Sequence, residues 1–240
     1  MEPWQLQPAR DTGLTPAERF RSVQRESGLL ESLAHHVCFG ALRSYFAVAH
    51  RLVITGRENL PRHGPFVLAA NHSSHLDALV LGAALKPRHR ERAFPIAAGD
   101  VFFQTPLVSA FAAGMLNALP MWRKKCGPHA LEQLRQRLLE EPCAYIFFPE
   151  GARSRDGQML PFKLGLGTLV AQTNVPVVPC YLDGCFQALT AEQRWPRPRR
   201  IRLRIGAPLT FASVANNREG WLHIAAAVAE RVKALASGTA

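Results

Sequence analysis

The stretch FVLAANHSSHLDALVLGAAL, residues 66–85, decides the fold because an apolar run changes into a helical pattern at a polar turn. FVLAA has the length of a buried strand, and HLDALVLGAAL carries apolar residues at helical spacing. Similar strand-length runs follow: AFPIAA, LNALPMW, AYIFFPE, VPVVPCYL and IRLRIGAPL. The helical stretches among and after them are HALEQLRQRLLEE, FKLGLGTLVAQT and WLHIAAAVAERVKAL. Alternating strands and helices predict an α/β fold with a mixed, mostly parallel sheet covered by helices.

The residues before this unit predict two N-terminal segments. Residues 1–27 lack sustained apolar periodicity and predict an irregular arm, with room for a short helix at PAERFRSVQRE. Residues 28–55 predict an amphipathic helical segment, and residues 56–240 the main domain. The helical segment suits docking onto the domain's own core and insertion into a membrane interface equally well. The sequence has no run of about 18 apolar residues, so we expect no transmembrane span.

The charge and cysteine content of the chain indicate which kinds of binding partner and metal site to expect. The formal net charge is +11 and the pI about 10.2, which favours polyanions: nucleic acid, anionic lipid or a phosphorylated cofactor. The five cysteines are scattered without CxxC pairs, which indicates a reducing compartment and no structural zinc.

The first candidate motif is the turn NHSSHLD, which follows the strand FVLAA. If a helix begins near Ser73 or Ser74, His72 lies in the preceding turn and folds back toward Asp77. A carboxylate on one imidazole nitrogen leaves the other as a general base for an alcohol. The alternative from these residues alone is an ordinary helix start, with a serine cap and Asp77 in the first turn.

The second motif is FPEGARS, residues 148–154, which closes the run AYIFF. Gly151 permits a close approach or a positive φ, and Arg153 can bind a phosphate through two hydrogen bonds. Glu150 is expected to orient Arg153 or to bond an acceptor hydroxyl. Taken alone, the loop also fits a surface turn with a solvated ion pair.

Two further blocks accompany these motifs. In LPMWRKK a strand end delivers three basic residues, of which Arg123 is nearest to the strand. A solvated basic cluster and a contact to an anionic headgroup are both consistent with it. In VPVVPC the prolines are expected to keep the chain extended at a strand edge or entry and to wall an apolar cleft.

In this order the four blocks resemble the glycerolipid acyltransferase family, typified by bacterial lysophosphatidic acid acyltransferases. The resemblance covers residues 64–183 and is most specific at NHSSHLD and FPEGARS. It implies transfer of a fatty acyl group from acyl-CoA or acyl-carrier protein to the hydroxyl of a lysophospholipid-type acceptor, first of all 1-acyl-glycerol-3-phosphate, in phospholipid biosynthesis.

The same resemblance assigns roles to residues. It implies that His72 is the general base and that Asp77 orients it, with no acyl-enzyme intermediate. It places four residues in the acceptor-binding blocks: Arg123, Glu150, Gly151 and Arg153. It implies no metal and no bound cofactor, and a peripheral, monotopic position at the cytoplasmic face of an anionic membrane.

The sequence leaves alternatives for the acceptor, the reaction and the class of function. Trp122 beside Arg123 and Ala152 depart from the commoner family pattern, so another hydroxylated lipid such as a lyso-ornithine lipid is a second acceptor. A hydrolase would use the same base with water. The basic stretch RWPRPRRIRLR, residues 194–204, fits a lipid- or nucleic-acid-binding module without catalysis, although its alternation of apolar and basic residues also predicts a half-buried strand.

An acyl channel would take its walls from the helical segment and from residues 100–116.

Overall fold

The structure is a computed structural model that describes residues 9–26, 28–90, 92–98, 103, 105–121, 127–190 and 192–238. Within these residues, seven strands form one sheet in the order β1-β7-β6-β2-β5-β3-β4. Neighbouring strands are parallel except β6 and β7, which are antiparallel. The strands are β1 (Val53–Thr55), β2 (Phe66–Ala70), β3 (Ala93–Ala98), β4 (Leu119–Met121), β5 (Ala144–Phe147), β6 (Val177–Asp183) and β7 (Arg202–Ile205).

The helices lie before, between and after these strands. They are α1 (Pro16–Arg21), α2 (Leu29–Ala49), α3 (Leu76–Ala84), α4 (Pro87–Arg90), α5 (Pro106–Gly114), α6 (Gly127–Glu140), α7 (Gly165–Val170), α8 (Cys185–Ala188) and α9 (Arg218–Ser237). A 3-10 turn at Arg57–Asn59 follows β1. Within the described part of the chain, no helix combines the length and apolar character needed to cross a membrane.

Helices cover both faces of the sheet. Successive side chains of a strand point to opposite faces, so both sets of side chains are buried. In β2, Leu68 packs with α2, α3 and α8, whereas Val67 packs with α6, α7 and α9. All five residues of β2 are buried. A strand with helices on both faces needs a continuous apolar run, which explains why FVLAA shows no alternation.

The predicted α/β class, with its mixed and mostly parallel sheet, is confirmed, and the six strand-length runs each contain a strand. One strand was missed. The predicted helical segment ends at Ala49, and residues 53–55 form β1, which pairs in parallel with β7. Three residues between a helix and a turn carry too short a pattern to be distinguished from the end of that helix.

Strand β6 also differs from expectation. Pro176 directly precedes β6, at the predicted entry to a strand, whereas Pro179 lies within β6, an interior strand between β2 and β7, so for Pro179 the predicted position is wrong. The carbonyl of Pro179 accepts a hydrogen bond from the backbone N–H of Gly206, just beyond β7. The ladder to β7 begins at Cys180, so the missing N–H of Pro179 interrupts no pair of that ladder.

Within residues 9–26, the short helix that the sequence allowed at PAERFRSVQRE is present as α1. Helix α1 begins with a capping box between Thr15 and Glu18. Beyond it, the guanidinium of Arg25 is buried and donates to Oδ1 of Asn117 at 2.6 Å. This contact fixes the arm against the turn between α5 and β4.

Candidate active site

His72 and Asp77 meet within the turn that joins β2 to α3. Nδ1 of His72 lies 2.9 Å from Oδ2 of Asp77. Because a carboxylate can only accept, Nδ1 carries the proton of this bond and Nε2 is the nitrogen left to accept one. The His72 side chain is 20% exposed and that of Asp77 is fully buried. The pair therefore has the arrangement of a general base and its orienting carboxylate.

The backbone of the turn holds the carboxylate in place. Besides His72, Oδ2 of Asp77 accepts the backbone N–H groups of Ser73 at 2.7 Å and Ser74 at 2.8 Å. Helix α3 begins at Leu76, slightly later than predicted, so both donors precede it in the turn. The hydroxyl of Ser74 accepts from the N–H of Leu76 and donates to the carbonyl of Leu189. A helix start and a His-carboxylate pair thus coexist here.

Glu150 binds the backbone of the first motif from the end of the neighbouring strand β5. Its Oε1 accepts the N–H of His72 at 2.9 Å, and its Oε2 accepts the N–H of Leu160 at 3.1 Å. The residue is 1% exposed. Burial raises the pKa of Glu150 to about 7, against the lowering effect of these two hydrogen bonds, and the charge of Asp77 adds to the rise.

Glu150 makes no hydrogen bond to Arg153 among the described residues, so the predicted orienting contact is not seen, and its bond to an acceptor hydroxyl stays a prediction. A buried carboxylate needs hydrogen-bond donors, and two backbone N–H groups supply them. Glu150 joins the two motifs instead. A second bond, from the N–H of Ser154 to the carbonyl of His72 at 2.9 Å, completes the junction.

The rest of the second loop places a cation beside His72. Gly151 has φ of 69°, as its predicted role allows, and a Cβ there would lie 3.0 Å from Nζ of Lys163. Nη1 of Arg153 is buried and has no hydrogen-bond partner among the described residues. A buried guanidinium nitrogen without an acceptor is costly for the protein alone, so a ligand oxygen is the natural partner.

An apolar cavity of about 440 Å³ opens beside these groups. His72, His75 and Arg153 are its ionisable lining residues. Burial, followed by the charges of Arg153 and His72, lowers the pKa of His75. The remaining wall comes from α2, α3, α5, three strands and the second loop: Phe39, Ala78, Leu79, Pro95, Ile96, Ala97, Ala112, Leu116, Ala118, Met121, Phe147, Phe148, Gly151 and Ala152.

The other predicted site residues have different outcomes. Arg123 lies outside the described residues, although Met121 at the end of the same block lines the cavity. Pro176 and Pro179 are not among the lining residues, so the predicted role of these prolines in the cleft wall is not seen. The helical segment and residues 100–116 do contribute, through Phe39, Ala112 and Leu116.

Sequence reasoning missed two residues that support the base. The ring of Phe148 stacks on that of His72, with centroids 4.0 Å apart and planes 17° from parallel. Asn71 bonds β6 through both side-chain atoms, to the carbonyl of Leu182 at 3.0 Å and to its N–H at 2.8 Å. The available signal was their position in the sequence, since Asn71 directly precedes His72 and Phe148 lies two residues before Glu150.

The basic stretch 194–204 is partly occupied by the fold itself. Arg202 forms an ion pair with Asp183 at 3.1 Å. Nη1 of Arg204 donates to the last carbonyls of α9, those of Leu235 at 2.6 Å and Ala236 at 2.8 Å. Both arginines thus make contacts that a half-buried strand beside a helix C-terminus explains.

Comparison with known proteins indicates the family to which the chain is similar. A family model described as Acyltransferase matches residues 51–183, more than half of the chain. The chain is 27% identical over 172 residues to 1-acyl-sn-glycerol-3-phosphate acyltransferase alpha of Mus musculus, a match that covers 70% of this chain and 58% of that protein. It therefore spans a little over half the length of this mouse relative.

A bacterial relative matches over most of its length. The 1-acyl-sn-glycerol-3-phosphate acyltransferase of Bacillus subtilis is 26% identical over 200 residues, which cover 82% of this chain and 94% of that protein. Among solved structures, the 1-acyl-sn-glycerophosphate acyltransferase of Thermotoga maritima has the same fold, with a TM-score of 0.63 and 24% identity over 81% of this chain and 77% of that one. The motifs and the family match agree, and the chain belongs to the acyltransferase family.

Proposed function

We propose that this protein transfers a fatty acyl group from acyl-CoA or acyl-carrier protein to the free hydroxyl of a lysophospholipid-type acceptor, with 1-acyl-glycerol-3-phosphate as the first candidate. The observation that carries the proposal is the His72–Asp77 pair at the wall of an apolar cavity that also contains Arg153. The names of the mouse and Bacillus subtilis relatives support the acceptor class.

The chemistry follows from the nitrogen that Asp77 leaves free. Nε2 of His72 takes the proton of the acceptor hydroxyl while its oxygen attacks the thioester carbonyl carbon. A C–O bond forms, the C–S bond breaks, and the thiolate that leaves takes the proton from the imidazolium. Asp77 stabilises the imidazolium between these two proton transfers. No residue of the protein is acylated, and no bound cofactor is needed for either step.

The groups around His72 suit the parts of such an acceptor. Nη1 of Arg153 is a buried donor without a hydrogen-bond partner in the part of the chain that the structure describes, and a phosphate oxygen is a strong acceptor for it. The apolar wall suits acyl chains, since burying a methylene group contributes about 0.8 kcal/mol. A phosphate at Arg153 and an acyl chain in the cavity would place the acceptor hydroxyl between them, near His72.

The surface of α2 supports a peripheral position on the membrane. Leu29 is 92% exposed and Val48 is 82% exposed, and Leu33 and Val37 are exposed beside them. A repeat of 3.6 residues per turn places these four side chains on one face of α2, while Phe39 and Phe46 are buried on the other. We propose that this face inserts into the cytoplasmic membrane interface, where the net charge of +11 favours anionic lipids.

A mass-spectrometric transfer assay tests the proposed reaction. Wild type, His72→Ala and the control His223→Ala, an exposed histidine on α9, receive acyl-CoA or acyl-carrier protein with a panel of lysophospholipids and other hydroxylated lipids. We expect a diacylated product from wild type and the control, and a loss of at least about a hundredfold for His72→Ala.

The products separate the competing functions. Free fatty acid without acylated acceptor would replace transfer by hydrolysis. Acylation of a lyso-ornithine lipid in preference to lysophospholipids would change the acceptor. Full activity of His72→Ala would remove the proposed base.

A further inference from the structure

A second cavity lies at the opposite edge of the sheet from His72. It has a volume of about 210 Å³ and is lined by residues at the amino ends of β2, β3 and β5. These strands are parallel, so their amino ends meet at one edge and their carboxyl ends at the other. The cavity therefore lies apart from the group of residues around His72.

The rim of this second cavity is cationic. Arg62 precedes β2, Arg88 lies on α4, and Arg92 precedes β3, and all three side chains are exposed at the cavity. No aspartate or glutamate is among the lining residues, and within the described residues none of the three arginines forms an ion pair. Three guanidinium groups, with no carboxylate among the described lining residues, leave positive charge for a ligand to neutralise.

His89 lines the same cavity and has a nitrogen without a partner. The residue is 5% exposed, and its ring packs edge-on against Phe66 with centroids 5.3 Å apart. Nε2 donates to the carbonyl of Arg62 at 3.0 Å, because a carbonyl can only accept. Nδ1 is buried and has no hydrogen-bond partner among the described residues. A buried polar atom of this kind is expected to find a partner when a ligand binds.

We propose that this cavity binds a small phosphate-bearing anion, held by Arg62, Arg88 and Arg92 with Nδ1–H of protonated His89 as a further donor. The volume lies below the range of about 300–1,000 Å³ typical of sites for drug-sized ligands, which suits a phosphate group rather than a nucleotide. The phosphate comes either from a free phosphate or phosphate monoester, or from the headgroup of an anionic lipid.

Binding at this site takes up a proton. Burial, and then the positive charges of Arg88, Lys86 and His63, lower the pKa of His89, against a raising effect of the hydrogen bond to Arg62. The free protein therefore holds His89 neutral, and an anion that neutralises the surrounding arginines raises its pKa. From β2 the ring meets only the apolar face of Phe66, so these are the charges that set its protonation. Affinity for phosphate should increase as the pH falls from about 7.5 to about 6.

The test compares two variants of equal net charge. Arg88→Gln/Arg92→Gln removes two cations from the cavity, whereas Arg197→Gln/Arg231→Gln removes two exposed arginines from elsewhere. Calorimetric titration with inorganic phosphate and with glycerol 3-phosphate, at both pH values, measures the free anion. Flotation with neutral phosphatidylcholine vesicles, and with the same vesicles containing phosphatidic acid, measures the lipid headgroup. The His89 ring resonances are followed by NMR during the phosphate titration.

We expect the cavity variant to bind about tenfold more weakly than wild type in at least one arm, while the control variant changes little. A calorimetric difference with a downfield titration of His89 identifies a free phosphate. A difference in flotation alone identifies a lipid headgroup. Equal binding by the two variants in both arms, or no binding by wild type in either, overturns the site. Neither result depends on transferase activity, so it leaves the proposed function untouched.

Discussion

The two edges of the sheet carry two histidines in opposite electrostatic surroundings. At the carboxyl edge, His72 faces the buried carboxylate of Asp77 beside a largely apolar cavity of about 440 Å³. At the amino edge, His89 lines a cavity of about 210 Å³ with three arginines and, among the described lining residues, no carboxylate. The same strands, β2 and β5, supply both edges.

The difference shows that the neighbours of an imidazole decide what it can do. A carboxylate on Nδ1 of His72 stabilises the protonated ring, so Nε2 can take a proton from an alcohol and then return it. Burial, and then the cations beside His89, oppose its protonation until an anion arrives, so this ring is suited to bind rather than to catalyse. Changing the neighbours should therefore alter each site more informatively than removing either histidine.

The largest effect is expected for Asp77→Asn. An amide oxygen in the place of Oδ2 can still accept the Nδ1–H group of His72 and the N–H groups of Ser73 and Ser74, but it carries no charge to stabilise the imidazolium. We expect kcat to fall by about a thousandfold or more with the fold retained. Asp156→Asn, an exposed aspartate beyond the second motif, is the control. Near-normal turnover of Asp77→Asn would mean that the carboxylate only caps the turn.

A smaller, substrate-dependent effect is expected for Arg153→Gln. Loss of a buried guanidinium donor should lower kcat/KM for a phosphorylated acceptor by about ten- to a hundredfold. A monoacylglycerol, which lacks the phosphate, should lose much less. The control is Arg155→Gln, which removes the same charge from an exposed position of the same loop. Equal losses with both acceptors would assign Arg153 to the structure of the loop rather than to the phosphate.

The smallest effect is expected for Glu150→Gln and is visible in stability. The folded protein holds the Glu150 proton up to about pH 7, whereas the unfolded chain releases it near 4.5. Ionisation of this carboxyl therefore lowers the free energy of unfolding as the pH rises through that window, by about 3 kcal/mol. Glutamine does not titrate.

Urea unfolding across this range measures the effect of Glu150. The wild-type free energy of unfolding, relative to that of Glu150→Gln, should be greatest near pH 4.5 and decline toward pH 7. Glu230→Gln, at an exposed position on α9, should track wild type throughout. A constant difference between wild type and Glu150→Gln would show that burial does not raise the pKa of Glu150.

The sequence predicted those features that depend on a few neighbouring residues. The apolar run Phe66–Ala70 predicted a buried strand because burial on both faces depends on composition within a few residues. The His72–Asp77 pair was predictable because five residues and one turn contain it. Strand β1 was missed because three residues carry almost no periodicity.

Contacts between distant segments were beyond this reasoning. Glu150 binds the N–H of a residue 78 positions away, and no local pattern states which donor a carboxylate will meet. The amino-edge cavity is assembled from three separate segments, at residues 62–66, 88–92 and 142–144, none of which forms a motif by itself. The topology of the sheet, rather than any one stretch of sequence, brings them together.

The hydrogen bonds between His72 and the second motif restrict changes in the two loops that carry them. His72 donates its N–H to Glu150 and accepts the N–H of Ser154, so neither loop can alter its length or path without moving the other. The two loops should therefore be exchangeable between homologous proteins as a pair and fail when exchanged singly. In a loop-exchange experiment the two loops should behave as one unit, although His72 and Glu150 lie 78 positions apart in the sequence.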